Sequence, residues 1–403
     1  MARPPRPAAA AGPLAHPHRR PHRRPRRRPR RGRRGGRQRP RRRRARPHPE
    51  GRRRPGRPPR QRVVVGRPPG ARMSLFVVQA TRGGRVEASS PVDVAVVDAA
   101  GRLFGHAGDA ARCTWWRSAA KPFQAAACVR AGAADRFGFD DSALALACAS
   151  HSSDDEHTSL ARQMLRACGC TEDDLACGGH PPLSPRVHER LVREGITPSS
   201  AHSNCSGKHA AMLALARHLG ADVRGYEGPE HPVQRRVLAE VRAGTGLHEA
   251  SVATAGDGCR APTFWLPLAA MARAWARLGT DDDAVLARLR RAMVAHPTLV
   301  AGRDRACTRF IADGGGAVVV KVGAEGVYCA ALPGQGLGVA LKVHCGDARF
   351  APVALGAVLA RLDERLGLGL PHDAWRAVAC PSVQDTRGDV VGGLVADGAL
   401  VFA

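Results

Sequence analysis

From residue 74 on, two hydrophobic rhythms alternate along the chain. SLFVVQA, GRVEA and VDVAVVD are rich in β-branched residues and read as strands, with residues 98–101 as a turn into RLFGHAG. SAAKPFQAAACVRAGA then predicts an alanine-rich helix from Ser118, with Pro122 tolerated in its first turn. The middle of the chain has helical spacing: DDSALALACAS, DDEHTSLARQMLRACG, and residues 232–243, 267–278 and 282–295. NCSGKHAAMLALARHLG predicts a helix capped by Ser203 or Asn204 and ended by Gly220. Strands return in GAVVVKVG, GVYCAALP and LGVALKVHC, close enough for an antiparallel meander. APVALGAVLARLDERLG predicts a helix and GGLVADGALVFA a terminal hairpin. Strands at both ends of a helical middle predict an α/β fold of the α+β type, a central antiparallel sheet flanked by helices.

Composition changes this picture only at the N-terminus. The formal charge of +28 suggests a nucleic-acid binder until it is located. Nearly all of it sits in residues 1–72, which hold 28 arginines and one acidic residue, Glu50. Residues 73–403 are close to neutral. The segment PHRRPRRRPRRGRRGGRQRPRRRR has too few apolar residues to offset chain entropy, so residues 1–72 are expected to form a disordered leader. Met73 opens a stretch of globular composition and is the expected true start, with 73–403 as one catalytic domain. Nucleic acid is an expected partner only if the leader belongs to the natural protein. No segment has the length and apolarity of a membrane span or a secretory signal. The 12 cysteines are scattered without a CxxC pair, which suggests reduced thiols and a cytoplasmic protein.

Charge also exposes an anomaly. Lysine occurs only at Lys121, Lys208, Lys321 and Lys342; every other basic residue is arginine. Arginine stays protonated, whereas a buried lysine can become a neutral base. A chain that has drifted toward arginine would keep lysine where a neutral amine is needed. Lys121 follows Ser118 by three residues, which places both on one helical face. A desolvated amine there could take the serine proton for acyl transfer, the use S-x-x-K has in serine β-lactamases. The bland alternative is a surface Ser and Lys on a helix.

Cys205 and Lys208 repeat that spacing, and with Cys259 could bind a soft divalent metal such as zinc, although lysine lies outside the usual ligand set. From spacing alone, a buried cysteine near a capped helix start is the preferred reading. Ser150, His151, Ser152 and Ser153 follow the apolar run ALALACA, and either cap the next helix or line a pocket. Lys321 ends a predicted strand; it is ordinary at a solvent edge and functional if the strand borders a cleft.

Together, RSAAKP at 117–122, CASHSS at 148–153, CGGHPPLS at 177–184, SNCSGKH at 203–209 and DGC at 257–259 resemble the bacterial type II L-asparaginases of the Rhizobium-like, thermolabile class. The resemblance runs in order from about residue 75 and is looser after 310. It implies a serine β-lactamase/glutaminase-like fold, a homodimer, and hydrolysis of L-asparagine to aspartate and ammonia with little action on glutamine. It implies Ser118 with Lys121 and Ser150 with Lys321 as two Ser–Lys pairs. It also implies a zinc site at Cys205, Lys208 and Cys259 that assists substrate binding more than chemistry. Arg117, His151 and Asp257 lie in the motifs where substrate would bind. Two other classes remain open. One is a β-lactam- or peptide-directed serine acyltransferase on the same framework. The other is a nucleic-acid-binding protein acting through the basic leader.

Overall fold

The computed structural model describes residues 76–403; the expected leader over 1–72 lies outside the described residues. The chain opens with β1 (Phe76–Arg82), β2 (Arg85–Asp98), β3 (Leu103–Ala107) and β4 (Cys113–Trp115). Seven helices follow: α1 (Lys121–Arg130), α2 (Ala133–Arg136), α3 (Asp141–Ala147), α4 (Asp155–Ala167), α5 (Pro185–Arg193), α6 (Ser206–Leu219) and α7 (Pro232–Thr245). Strands β5 (Ala253–Gly256) and β6 (Pro262–Pro267) precede α8 (Leu268–Gly279), α9 (Ala284–Ala295), α10 (Pro297–Val300) and α11 (Ala306–Asp313). The last third runs β7 (Val319–Val322), β8 (Val327–Leu332), β9 (Leu337–Val343), α12 (Phe350–Leu366), α13 (His372–Ala379), β10 (Ser382–Gln384), β11 (Val390–Asp397) and β12 (Val401–Phe402).

The main sheet is antiparallel, in the order β10-β11-β1-β2-β9-β8-β7, with β3 joining β2 and β12. The expected central antiparallel sheet flanked by helices is therefore what forms. Helix α8 packs on β2, β8 and β9, and α12 on β1, β8, β9 and β11. All residues of β8 are buried, so both of its faces are covered. Among the described residues no helix is long and apolar enough to cross a membrane.

Three local expectations fail. The terminal hairpin is absent: β11 pairs with β1 and β10, while β12 pairs with β3. Since β1 and β3 lie end to end on one side of β2, β11 and β12 form one interrupted line rather than two antiparallel arms. Gly398, at φ 147°, makes the break between them. Helix α6 is not capped by Ser203 or Asn204; its N-cap is Cys205, without a side-chain cap bond. Asn204 Oδ1 accepts from Cys205 Sγ at 2.9 Å instead, and Ser203 Oγ accepts from the Cys205 N–H at 3.4 Å. Helix α1 begins at Lys121, because residues Arg117–Ala120 form a 3₁₀ turn.

Two features fix the site. The small antiparallel sheet β4-β6-β5 sets residue 117, after β4, near residue 257, after β5. The start of α6 lies directly against the end of α3, and Gly207 permits the approach. A Cβ there would sit 2.4 Å from the Leu146 carbonyl oxygen, a backbone atom that cannot rotate away. Gly207→Ala is expected to destabilise the fold by about 2–3 kcal/mol, read as a lower denaturant midpoint at unchanged slope.

Candidate active site

Three of the four lysines are buried: Lys121 is 1% exposed, Lys208 2% and Lys321 0%. Burial of unpaired amines is unfavourable, so each must find partners. Lys121, at the start of α1, donates to the carbonyl of Ala149, to Ser150 Oγ at 3.0 Å and to the Asn204 carbonyl at 3.3 Å. Lys321, on β7, hydrogen-bonds Ser150 Oγ at 2.8 Å and the Val322 carbonyl at 3.0 Å. One serine oxygen, 5% exposed as a residue, is thus held between two buried amines. Burial lowers the Lys321 pKa to about 7; Cys307 opposes this, and the charges of Lys121 and Arg305 reinforce it.

Ser118 sits in the 3₁₀ turn, partly exposed, and its carbonyl accepts the Lys121 backbone N–H. Its side chain forms no hydrogen bond among the described residues. The structure therefore joins Lys121 to Ser150, and so to Lys321, while Ser118 stands one turn away. Arg117, beside it, has φ 54°, in the left-handed region that favours glycine. Ser153 at 64° and Arg260 at 74° share that conformation. These three strained positions fall within or beside the motifs that carry the candidate residues, where such strain is held by the surrounding structure.

Arg117 Nε donates to Asp257 Oδ1 at 2.8 Å, with side chains 26% and 11% exposed. The Arg117 N–H donates to Thr263 Oγ1 at 3.0 Å. Burial pushes the Asp257 pKa up, but Lys208 and Arg117 outweigh it and hold the carboxyl below its ordinary value. A partly open pair of opposite charges is thereby set beside Ser118.

His151 is fully buried. The Ser153 N–H donates to its Nδ1 at 3.2 Å, so Nε2 carries the proton and donates to Ser206 Oγ at 2.9 Å. Its ring stacks on His157 with centroids 5.0 Å apart. Burial, with the neighbouring His157 next, holds it well below the usual histidine range. Both ring nitrogens are engaged within the protein. Ser152 Oγ donates to the Ala301 carbonyl at 2.9 Å and Ser153 Oγ to the His202 carbonyl at 2.7 Å, which pins the loop carrying Ser150.

The third lysine meets the two cysteines expected near it. Lys208 Nζ donates to Cys259 Sγ at 3.0 Å. The hydrogen bond from Cys205 is the main reason Cys259 titrates at about 4, aided by Lys208 against the cost of burial. Cys205 is pushed up to about 12, first by Cys259 and then by burial. Burial alone would lower Lys208, but Cys259 and Cys205 raise it. No group of three His, Cys, Asp or Glu among the described residues is arranged to hold a metal. Cys259 nevertheless meets both Lys208 and Cys205, and two sulfurs with an amine are a donor set that fits a soft divalent ion if Cys205 and Lys208 give up their protons. All 12 cysteines are unpaired.

Some partners had no sequence signal. Asn204 and Ala149 act through carbonyl oxygens, which any residue possesses. Ser206 lies inside SNCSGKH but outside any spacing rule. Arg305, which donates to Ser152 Oγ at 3.3 Å, is one arginine among dozens.

No curated protein matches the sequence. Among solved structures, the native form of Mglu overlaps with a TM-score of 0.40 at 17% identity, over 70% of this chain and 65% of that one. A second Mglu structure gives 0.32 at 20%, over 70% and 68%. The β-lactamase Mb2281c of Mycobacterium bovis gives 0.30 at 16%, over 67% and 94%. The chain thus spans 65% of the length of native Mglu. The model of the L-asparaginase II family matches residues 78–396, a span that holds every residue of the cluster from Arg117 to Lys321. The chain belongs to the L-asparaginase II family.

Proposed function

We propose that the chain hydrolyses the side-chain amide of L-asparagine, and that Ser118 attacks with a buried relay, Lys121–Ser150–Lys321, behind it. The observation that carries this is the single serine oxygen between two buried amines. Lys121 faces three acceptors, which suits the three donors of an ammonium. Burial brings the Lys321 pKa down to about 7, which lets the amine lose its charge and accept a proton. As Ser150 passes its proton to Lys321, it takes one from Lys121, which is then free to take the proton of Ser118. That last transfer needs the Ser118 hydroxyl to turn toward Nζ across the i, i+3 spacing, a contact that tightens when substrate is bound. Ammonia leaves with a returned proton, and water resolves the acyl-serine.

Ser118 takes the attacking role because it is the accessible serine, beside a pair suited to an α-amino acid. Arg117 matches the substrate's carboxylate and Asp257 its ammonium. His151, with both nitrogens occupied, positions the loop of Ser150. Cys205, Lys208 and Cys259 would hold a zinc ion, which when bound would supply a positive centre for orienting substrate. Asp257→Asn keeps the shape and removes the charge. It is expected to raise KM for asparagine about tenfold or more, with kcat less affected, in steady-state kinetics.

The test is ammonia release from L-asparagine and from L-glutamine, with and without chelator. Turnover of asparagine well above glutamine, with chelator acting mainly on KM, is the expected result; no release from either amide would overturn the reading. A second reading, favoured by the two amines on Ser150, has that serine attack. Peptide mapping of the acylated enzyme after a rapid acid quench separates the two.

A further inference from the structure

A cavity of about 530 Å³ lies beside the cluster without including any of its candidate residues. Its wall is largely apolar: Val322, Tyr328, Val383 and Leu394 come from four different strands. Its volume is within the range of small-molecule sites. Charge enters through Arg305 and Arg349, with Asp304 the one acidic residue in the lining, exposed to solvent.

The two arginines differ. Arg349 is tied to Asp347, with Nη2–Oδ2 at 2.7 Å. Arg305 is half-buried and has no carboxylate partner among the described residues; its one side-chain bond goes to the neutral Ser152 at 3.3 Å. It also stands at the N-terminus of α11, which lacks a side-chain cap, so free N–H groups add to the positive field. A half-buried cation in the wall of a largely apolar cavity is matched by an anion with an apolar body.

We propose that this cavity binds a small monocarboxylate with an apolar tail, its carboxylate on Arg305 and its tail against Val322, Tyr328, Val383 and Leu394. The site lies one residue from the relay. Val322 follows Lys321 and donates its N–H to Cys307 Sγ at 3.3 Å, and Cys307 lies 3.0 Å from the Tyr328 hydroxyl. Both Val322 and Cys307 line the cavity.

Calorimetric titration of the full chain with octanoate, acetate and inorganic phosphate tests this without reference to asparagine turnover. Octanoate is expected to bind one per chain, with acetate and phosphate at least about tenfold weaker because neither has a tail. Arg305→Gln is expected to weaken octanoate about tenfold. Val383→Trp fills the cavity and is expected to abolish binding while the thermal melting curve stays two-state and close to that of the unaltered chain. Octanoate binding no tighter than acetate, or equal binding to the unaltered chain and both variants, would overturn the proposal.

Discussion

Ser150→Ala is expected to lower kcat for asparagine by about a thousandfold or more, while KM changes only a few-fold. Among the described residues, Ser150 Oγ is the one side-chain atom that both Lys121 and Lys321 hydrogen-bond, at 3.0 and 2.8 Å. Alanine leaves each amine with carbonyl partners: Ala149 and Asn204 for Lys121, Val322 for Lys321. What it removes is the hydroxyl that can receive a proton from one amine while giving one to the other. Arg117 and Asp257 are untouched, so substrate should still dock. The lost hydrogen bonds should cost about 1–3 kcal/mol of stability, small enough for the fold to persist and be verified by melting. A variant that folds and keeps kcat within tenfold would remove Ser150 from the proton path. The relay would then fail while the family assignment stands.

What could be seen in the sequence was the residue types that chemistry restricts. Lysine is replaceable by arginine wherever only charge is needed, so Lys121, Lys208 and Lys321 stood out, and all three are buried. The fourth, Lys342, is only partly buried and donates to the Glu325 and Val343 carbonyls, outside the cluster around Ser150. The main sheet was also legible, because GAVVVKVG, GVYCAALP and LGVALKVHC carry strand residues without helical spacing. Register and adjacency were not. Nothing in GGLVADGALVFA says that β11 seeks β1 while β12 seeks β3, since that choice depends on strands some 300 positions earlier in the chain.

The same limit governs the site. Spacing placed Lys121 and Ser118 on one face, and they are neighbours in the turn. Spacing alone could not show that the Ser150 loop, held by the bond from its N–H to the Val300 carbonyl at 3.0 Å, brings a second hydroxyl to Lys121. The small sheet β4-β6-β5 was missed because TFWLP lies among helical segments, yet it is the element that sets Arg117 against Asp257. Local rules read contacts a few residues apart. The relay joins residues 121, 150 and 321, and only tertiary packing brings those together.

Lys321→Met should separate catalysis from stability. Methionine has nearly the length of the lysine side chain and no charge, so it replaces a fully buried amine by an apolar group, and stability should hold or rise. Turnover should fall about a hundredfold to ten-thousandfold, because the terminal proton acceptor is gone. The pH profile gives the sharper reading. The Lys321 pKa is lowered from 10.5 to about 7, so the amine is neutral above that value and can act as a base. The unaltered enzyme should therefore gain kcat as pH rises through about 7, then level off, and the residual activity of the variant should lack this limb. Stability follows from the same titration. Between pH 7 and 10.5 the unfolded chain holds a proton on this lysine that the folded chain does not, so its contribution to stability rises with pH across that window. Chemical denaturation at pH 6 and pH 9 should show this gain in the unaltered chain and its loss in Lys321→Met. If the variant keeps the rising limb of kcat, another group is the base, and the depressed amine of Lys321 serves only to bind Ser150.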